Sequence, residues 1–248
     1  MKHFLKLSLL VLALLMATPT HAARIKDVAR VDGVRSNQLI GYGLVVGLAH
    51  TGDSQRSSFT SQSLAAMLSR MGIRIDKSDL LLRNVAAVMV TATLPPFAQP
   101  GTAMDISVSS IGDAKSLVGG TLIMTPLKGL DGQVYGMGQG PIQVGGYGVQ
   151  ARSSRRVKNH LNVGRIPQGA IIERQVPIQL AADGKLKLHL QIPDFATAQM
   201  LTNAINGAVT QLGGQAGTKL ATALSSGTVE VTIPGARTAE IPAFVADL

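Results

Sequence analysis

Arg83-Asn84-Val85-Ala86-Ala87-Val88-Met89-Val90-Thr91-Ala92-Thr93-Leu94 is rich in β-branched residues, carries no charge after Arg83, and is stopped by Pro95-Pro96. A charge-free β-branched run bounded by prolines reads as a strand buried on both faces. Working outward, Met104 to Ile111 and Leu117 to Thr125 read as further strands, with Pro100-Gly101 and Gly119-Gly120 marking turns or bulges. Between Gly119 and Gly148 ten of thirty residues are glycine, interleaved with Val134, Tyr135, Ile142, Val144 and Tyr147. The interleaved apolar residues make this a β segment with tight hairpins or close strand packing, not a low-complexity linker.

Upstream, Leu64, Met67, Leu68 and Met71 fall at helical spacing behind Ser57 and Ser58, with Gly72 as a stop, so 57–71 is expected to be an amphipathic helix. Downstream, Arg152, Arg155, Arg156, Lys158 and Arg165 surround His160 with no acidic residue before Glu173, which reads as an exposed basic loop. Leu186, Leu188 and Leu190 then alternate with Lys185, Lys187 and His189, as in a strand with one polar face. A helix is expected from the capping residue Asp194 to Leu212, ended by Gly213-Gly214, and Val229, Val231 and Ile233 alternate in one more strand. The expected fold is α+β: mixed, mostly β-sheets with a few amphipathic helices, including a C-terminal β-α-β unit. Residues 23–150 form the expected Gly-rich, β-dominated domain, and 151–248 the basic loop followed by the β-α-β domain.

The N-terminus sets the compartment. Lys2 and Lys6 precede the apolar run Leu7 to Met16, and the small-residue site Thr20-His21-Ala22 follows. That order is a secretory signal peptide over residues 1–22, cleaved after Ala22. The run falls short of the ~20 apolar residues a membrane span needs, so no span is expected. The chain has no cysteine, which leaves stability to packing and partner contacts and removes thiol nucleophiles and thiolate metal sites.

Without residues 1–22 the chain holds 21 Lys and Arg against 14 Asp and Glu, a net charge of +7. An exported basic protein is not expected to meet nucleic acid. Its anionic partners would be an acidic protein surface, the peptide carboxylates of peptidoglycan, or lipid phosphates. Aromatic residues are only 3% of the chain and Trp is absent, which speaks against sugar stacking on aromatic faces.

Catalytic patterns are missing from the sequence. His50, His160 and His189 lack the helical pairing or carboxylate spacing of a metal site. There is neither a Gly-x-Ser-x-Gly elbow nor the Ser-x-x-Lys set of penicillin-binding enzymes. Gly41-Tyr42-Gly43-Leu44-Val45-Val46-Gly47 has its third glycine one residue late for a dinucleotide fingerprint, and a tight β turn is the expected structure. Glu173, Asp183, Asp194 and Glu230 are explained by loops and caps rather than as glycosidase carboxylates. No catalytic, cofactor-binding or metal-binding residue is expected, and the chain is not expected to be an enzyme.

Longer ordered motifs remain: Ala23-Arg24-Ile25-Lys26-Asp27-Val28, then Val31-Asp32-Gly33-Val34-Arg35-Ser36-Asn37-Gln38-Leu39-Ile40-Gly41-Tyr42-Gly43-Leu44-Val45-Val46-Gly47-Leu48. Asn84 to Ala92, Leu94-Pro95-Pro96-Phe97, Asp113-Ala114-Lys115-Ser116-Leu117, Gly119-Gly120-Thr121-Leu122 and Met124-Thr125-Pro126-Leu127-Lys128-Gly129 follow. In these, from Ala23 to Leu248, the chain resembles the flagellar P-ring protein family. The resemblance implies a non-catalytic periplasmic subunit of a homo-oligomeric ring around the flagellar rod, a bushing at the peptidoglycan layer. It also implies contact with the L-ring protein and help from a periplasmic assembly chaperone. Arg83 and Lys115, beside the most family-like strands, are the expected rod-facing basic residues.

Two features depart from the family. His50 stands where the family has glycine before Thr51-Gly52-Asp53, and the chain stops at Leu248, where the family continues with another long segment, so a fragment or a truncated product is expected. A stand-alone peptidoglycan-binding periplasmic module is the alternative reading.

Overall fold

The computed structural model describes residues 24–75, 82–145, 147–151, 154–158 and 160–248; the expected signal peptide and Arg152 lie outside the described residues. Two compact units divide the chain, one formed by Arg35–Ile178 and the other by the residues up to Val34 together with Gln179–Leu248. Among the described residues no helix is long and apolar enough to cross a membrane. The architecture is α+β and mostly sheet, as the sequence indicates.

The contiguous unit is a closed antiparallel barrel. Its strands are β2 (Asn37–Val46), β3 (Val85–Leu94), β4 (Ala103–Ser110), β5 (Thr121–Lys128), β6 (Val134–Pro141) and β9 (Val163–Ile172), in the order β2-β3-β4-β9-β6-β5. Pairing of β5 with β2 completes the ring. Between β6 and β9 the chain makes a separate hairpin of β7 (Tyr147–Ala151) and β8 (Ser154–Lys158). Alternate residues such as Leu39, Val45, Val88, Val90, Ile106, Val108, Leu122 and Ile166 fill the barrel core, as the two-residue side-chain period of a strand requires.

The expected β turn at Gly41-Tyr42-Gly43 is corrected by this arrangement, since both glycines lie inside β2. The reason is close approach rather than chain reversal. A Cβ on Gly41 would lie 2.6 Å from the Pro126 carbonyl oxygen and 2.9 Å from Leu127 Cδ2 of β5. Six strands closing on themselves bring β5 near enough to β2 that only a residue without a side chain fits.

Burial of the deciding stretch on both faces holds over half its length. Val85 to Val88 are all buried, whereas Thr91 and Thr93 are exposed between buried Ala92 and Leu94. The difference comes from α2 (Ser58–Arg70), whose Leu64 packs with Leu44, Leu82, Val85 and Ala87 on the outside of β2 and β3. A hydrogen bond of 2.7 Å between the Tyr42 and Ser63 hydroxyls adds to that contact. Met71, expected on the apolar face, is exposed just past the helix end. Beyond α2 the sheet faces solvent and alternation resumes.

Two further expectations change. Leu117 to Gly120 is a turn, with Gly120 N–H donating to the Leu117 carbonyl at 3.1 Å and Gly119 at φ +76°, so β5 begins only at Thr121. The basic stretch is not a plain loop, because Arg155, Arg156 and Lys158 lie in β8 and Arg165 lies in β9.

The second unit is a four-stranded antiparallel sheet in the order β1-β10-β12-β11, formed by β1 (Ala29–Val31), β10 (Lys185–Leu190), β11 (Ala221–Ser225) and β12 (Thr228–Thr232). The short helix α1 (Ile25–Val28) leads into β1. Leu186, Leu188, Leu190, Val229 and Val231 form a core with Leu201 and Ile205 of α3 (Phe195–Gly207) and Phe244 of α4 (Ile241–Asp247). The alternating Lys185, Lys187 and His189 leave the other face polar, which is why the helices cover one side only.

Asp194 caps α3 as expected, its carboxylate accepting from Thr197 N–H at 2.7 Å. The helix stops at Gly207 rather than Leu212. There the Asn206 side chain accepts from Leu220 and Ala221 N–H and donates to the Ala221 carbonyl, tying the helix end to β11. Val209 and Leu212 still enter the core from the turns that follow.

Candidate functional site

The barrel end reached by the C-terminus of β2 is built around the loop from Gly47 to Ser57, which leads into α2. Leu48 plugs the core there at 1% exposure. His50 has φ +59°, and its N–H donates to the Asn84 side-chain oxygen at 3.1 Å. Left-handed backbone is uncommon outside glycine and tolerated better by His than by most residues, which accounts for glycine as the alternative here.

From this turn the loop runs between two other segments. Gly52 N–H donates to the Arg83 carbonyl at 2.8 Å, and Asp53 N–H to the Val85 carbonyl at 2.8 Å. On the other side Lys115 N–H donates to the Thr51 carbonyl at 2.8 Å, while the Thr51 hydroxyl donates to the Ser116 carbonyl at 2.9 Å. The two expected rod-facing residues, Arg83 and Lys115, are therefore brought to opposite flanks of one short loop, both exposed. Among the described residues neither is in an ion pair.

Two carboxylates hold the loop in place. Asp53 is fully buried; its Oδ2 accepts from the Thr60 hydroxyl at 2.7 Å and from Ala87 N–H at 2.8 Å, tying the loop to α2 and β3 together. Its Oδ1 is buried without a hydrogen-bond partner, against Gly112, where a Cβ would collide with it. Asp113 uses Oδ1 to accept from Ser54 N–H at 2.8 Å and from the Ser57 hydroxyl at 2.9 Å. Donors on Ser54, and then the Ser57 hydroxyl, stabilise its anion and hold its pKa down to about 2.

The other acids and histidines stay apart from this loop's chemistry. Asp183, Lys185, Lys187 and Glu230 line a polar cleft of about 430 Å³ in the sheet unit, where Lys185 and Glu230 pair at 2.8 Å. His189 lies 3.2 Å from the Asp32 carboxylate and 3.2 Å from the Thr228 hydroxyl. Glu173 and His160 belong to the barrel unit, and Asp194 is occupied as a cap. Among the described residues no group of three or more His, Asp or Glu is placed to hold a metal ion.

Charge is divided unequally between the units. Residues 35–178 hold 14 Lys and Arg against 7 Asp and Glu, a net +7, whereas residues 24–34 with 179–248 hold 7 of each. Over residues 24–248 the excess of positive charge thus belongs to the barrel unit. Long-range attraction of an anionic partner acts on that unit.

Sequence reasoning missed the anchoring role of Asp53 and Asp113. Thr51-Gly52-Asp53 and Asp113-Ala114-Lys115 were visible as motifs, but a carboxylate that receives hydrogen bonds from distant elements looks, in sequence, like any turn aspartate.

Comparison with known proteins supplies the context. The family model described as Flagellar P-ring protein matches residues 24–248. A Flagellar P-ring protein of Geobacter sulfurreducens is 48% identical over 239 residues, covering 96% of this chain and 63% of its own length. One from Salmonella choleraesuis is 51% identical over 247 residues, covering 99% of this chain and 65% of its own. One from Nitrosospira multiformis is 56% identical over 190 residues, covering 76% and 50% respectively. The chain spans a little under two thirds of the length of the first two. Matched from Arg24 to Leu248 and across both folded units, the chain belongs to the flagellar P-ring protein family.

Proposed function

We propose that this chain is a structural component of the bacterial flagellar basal body, a subunit of the periplasmic P ring that surrounds the rod and acts as a bushing at the peptidoglycan layer. The observation that carries this reading is the family match across residues 24–248. The closed barrel supports it, since a wall around a rotating shaft calls for a stiff unit with a packed interior. Contacts with further copies in a ring, with the L-ring protein, with peptidoglycan and with a periplasmic assembly chaperone belong to the same proposal.

Arg83 and Lys115 are the residues proposed to face the rod. Both are exposed, both are held by the loop 51–53, and neither is compensated by an ion pair among the described residues. Screened charge pairs at a wet surface are each worth about 0–1 kcal/mol and lack tight geometry, so a shaft can turn past them.

Electron microscopy of basal bodies tests the reading, in cells that lack their own P-ring protein and express this chain. A ring at the level of the wall is the expected result. A bare rod, with the chain folded in the periplasm, would overturn the proposal that residues 23–248 suffice to form the ring. Charge reversal at both Arg83 and Lys115 is expected to weaken rod contact and motility. Unchanged motility in that variant would remove them from the rod face.

A further inference from the structure

We propose that the outer wall of the barrel at β5, β6 and β9 packs against the sheet unit of a second copy of this chain, so that neighbouring subunits join through two different faces. The inference rests on the ring reading given above and names the surfaces that would build it. Pro126 of β5 is paired with Met137 of β6, and Met137 with Ile171 of β9, so the three form one row across the wall. Each stands between two buried residues: Thr125 and Leu127, Gly136 and Gly138, Ala170 and Ile172. With a side-chain period of two, all three therefore point out of the barrel. Pro126 is exposed, Met137 is half-buried, and Ile171 keeps 50% of its surface, whereas the wall at β2 and β3 is covered by α2. The segments 117–127, 134–141 and 166–172, which carry the row, hold no charged residue.

The sheet unit carries a matching face. Ile192 and Phe195, 79% and 77% exposed, stand on either side of Asp194, whose N–H donates to the Ser226 carbonyl at 2.8 Å. Leu224, two residues before Ser226, is the extra residue of a bulge in β11 and is also exposed. Residues 195–218 and 220–229 hold no charge. Apolar surface depleted of charge is what the core of a protein interface is made of. A ring of identical subunits closes through a heterologous contact, which needs two different faces on every copy. Charge selects the pairing. Barrel against barrel would set +7 against +7, whereas barrel against sheet unit sets +7 against zero. A lipid surface does not fit the wall, because Lys128 and the ion-paired Asp105 and Arg165 are exposed on β5, β4 and β9.

Cross-linking tests this in cells that lack their own P-ring protein and express the chain. The chain has no cysteine, so introduced thiols report alone. Met137→Cys or Ile171→Cys is combined with Phe195→Cys or Leu224→Cys in one chain, treated with a short bis-maleimide, and read on denaturing gels beside micrographs of the basal bodies. A series of dimers, trimers and larger products is expected from the double variants, and dimers alone from mixed chains carrying one thiol each. A ring in the micrographs with no such series from any pair would overturn the inference and leave the ring reading intact. Links within one chain, or between two barrel thiols, would also overturn the inference. Absence of both the ring and the links, with the chain folded, would overturn both. Ile171→Asp and Phe195→Asp are each expected to weaken assembly about tenfold, since a few buried apolar anchors carry most of a contact. Met71 is exposed just past the end of α2, and Met71→Asp is the control expected to leave assembly unchanged. Thermal melts confirm folding of each variant, and assembly unchanged by both Ile171→Asp and Phe195→Asp would overturn the inference.

Discussion

Gly52 donates its N–H to the carbonyl of Arg83, and a side chain at position 52 would meet the backbone of that same partner. A Cβ there would lie 2.9 Å from the Arg83 carbonyl oxygen and 2.8 Å from the Val85 nitrogen. Neither atom can rotate away as the end of a flexible side chain would. Gly52→Ala is expected to destabilise the barrel unit by about 1–3 kcal/mol, the usual effect of forcing extra volume into a packed site. Gly207→Ala, where a Cβ meets nothing within 4 Å at the last residue of α3, is expected to be neutral or stabilising by up to about 1 kcal/mol. Urea unfolding of both variants compares the two effects, and equal stabilities would contradict the packing argument.

Asp53→Ala leaves Thr60 and the Ala87 amide without their buried acceptor. Its expected cost is about 2–4 kcal/mol, from lost buried hydrogen bonds and a small void. Asp53→Asn keeps one acceptor oxygen but places an amide group where Oδ1 lies unpartnered beside Gly112, so a smaller loss is expected. Thermal denaturation ranks the variants; an alanine variant as stable as the asparagine one would argue against the hydrogen bonds as the main contribution.

Stability is expected to fall with acid in a window set by Asp113. Its pKa is about 2 in the folded chain and about 3.9 in an unfolded one. A depressed carboxyl contributes stability that is complete above the unfolded value and lost as pH falls from about 4 through 2. Unfolding free energy measured across that range should decline less steeply for Asp113→Asn than for the unaltered chain. Parallel curves would mean that Ser54 and Ser57 do not stabilise the anion.

Asp194→Ala removes the acceptor of both the Thr197 amide and the Thr197 hydroxyl. The first turn of α3 is expected to exchange its amide hydrogens faster, and the melting temperature of the sheet unit to fall. Asp194→Ser, which restores a capping oxygen, should recover most of both.

Legibility in the sequence followed the range of the interaction involved. Local signals carried the mostly-sheet α+β class, the alternation of Leu186, Leu188 and Leu190, and the cap at Asp194, because period and capping are set by neighbours in the chain. Gly41 and Gly43 were misread because their requirement comes from Pro126, Leu127 and Thr125, more than eighty residues away. Solvent exposure of Thr91 and Thr93 depends on where α2 ends above the barrel, which no pattern within β3 reveals. The same holds at the candidate site. Arg83 and Lys115 stand out individually in sequence, but their approach to one loop depends on hydrogen bonds to Thr51 and Gly52 from segments distant in the chain.

Pairing of Ala29 with Leu190 also orders events in time. A chain is synthesised from its N-terminus, so β1 exists long before β10, with which it pairs in the sheet. The barrel strands, by contrast, are all in hand once Ile172 has been made, and that unit can close while the sheet unit is still incomplete. Until β10 is present, residues 29–31 lack the strand they pair with in the folded sheet. Residues 29–31 thus precede the whole barrel in the chain and still depend, for their place in the sheet, on a strand that follows it.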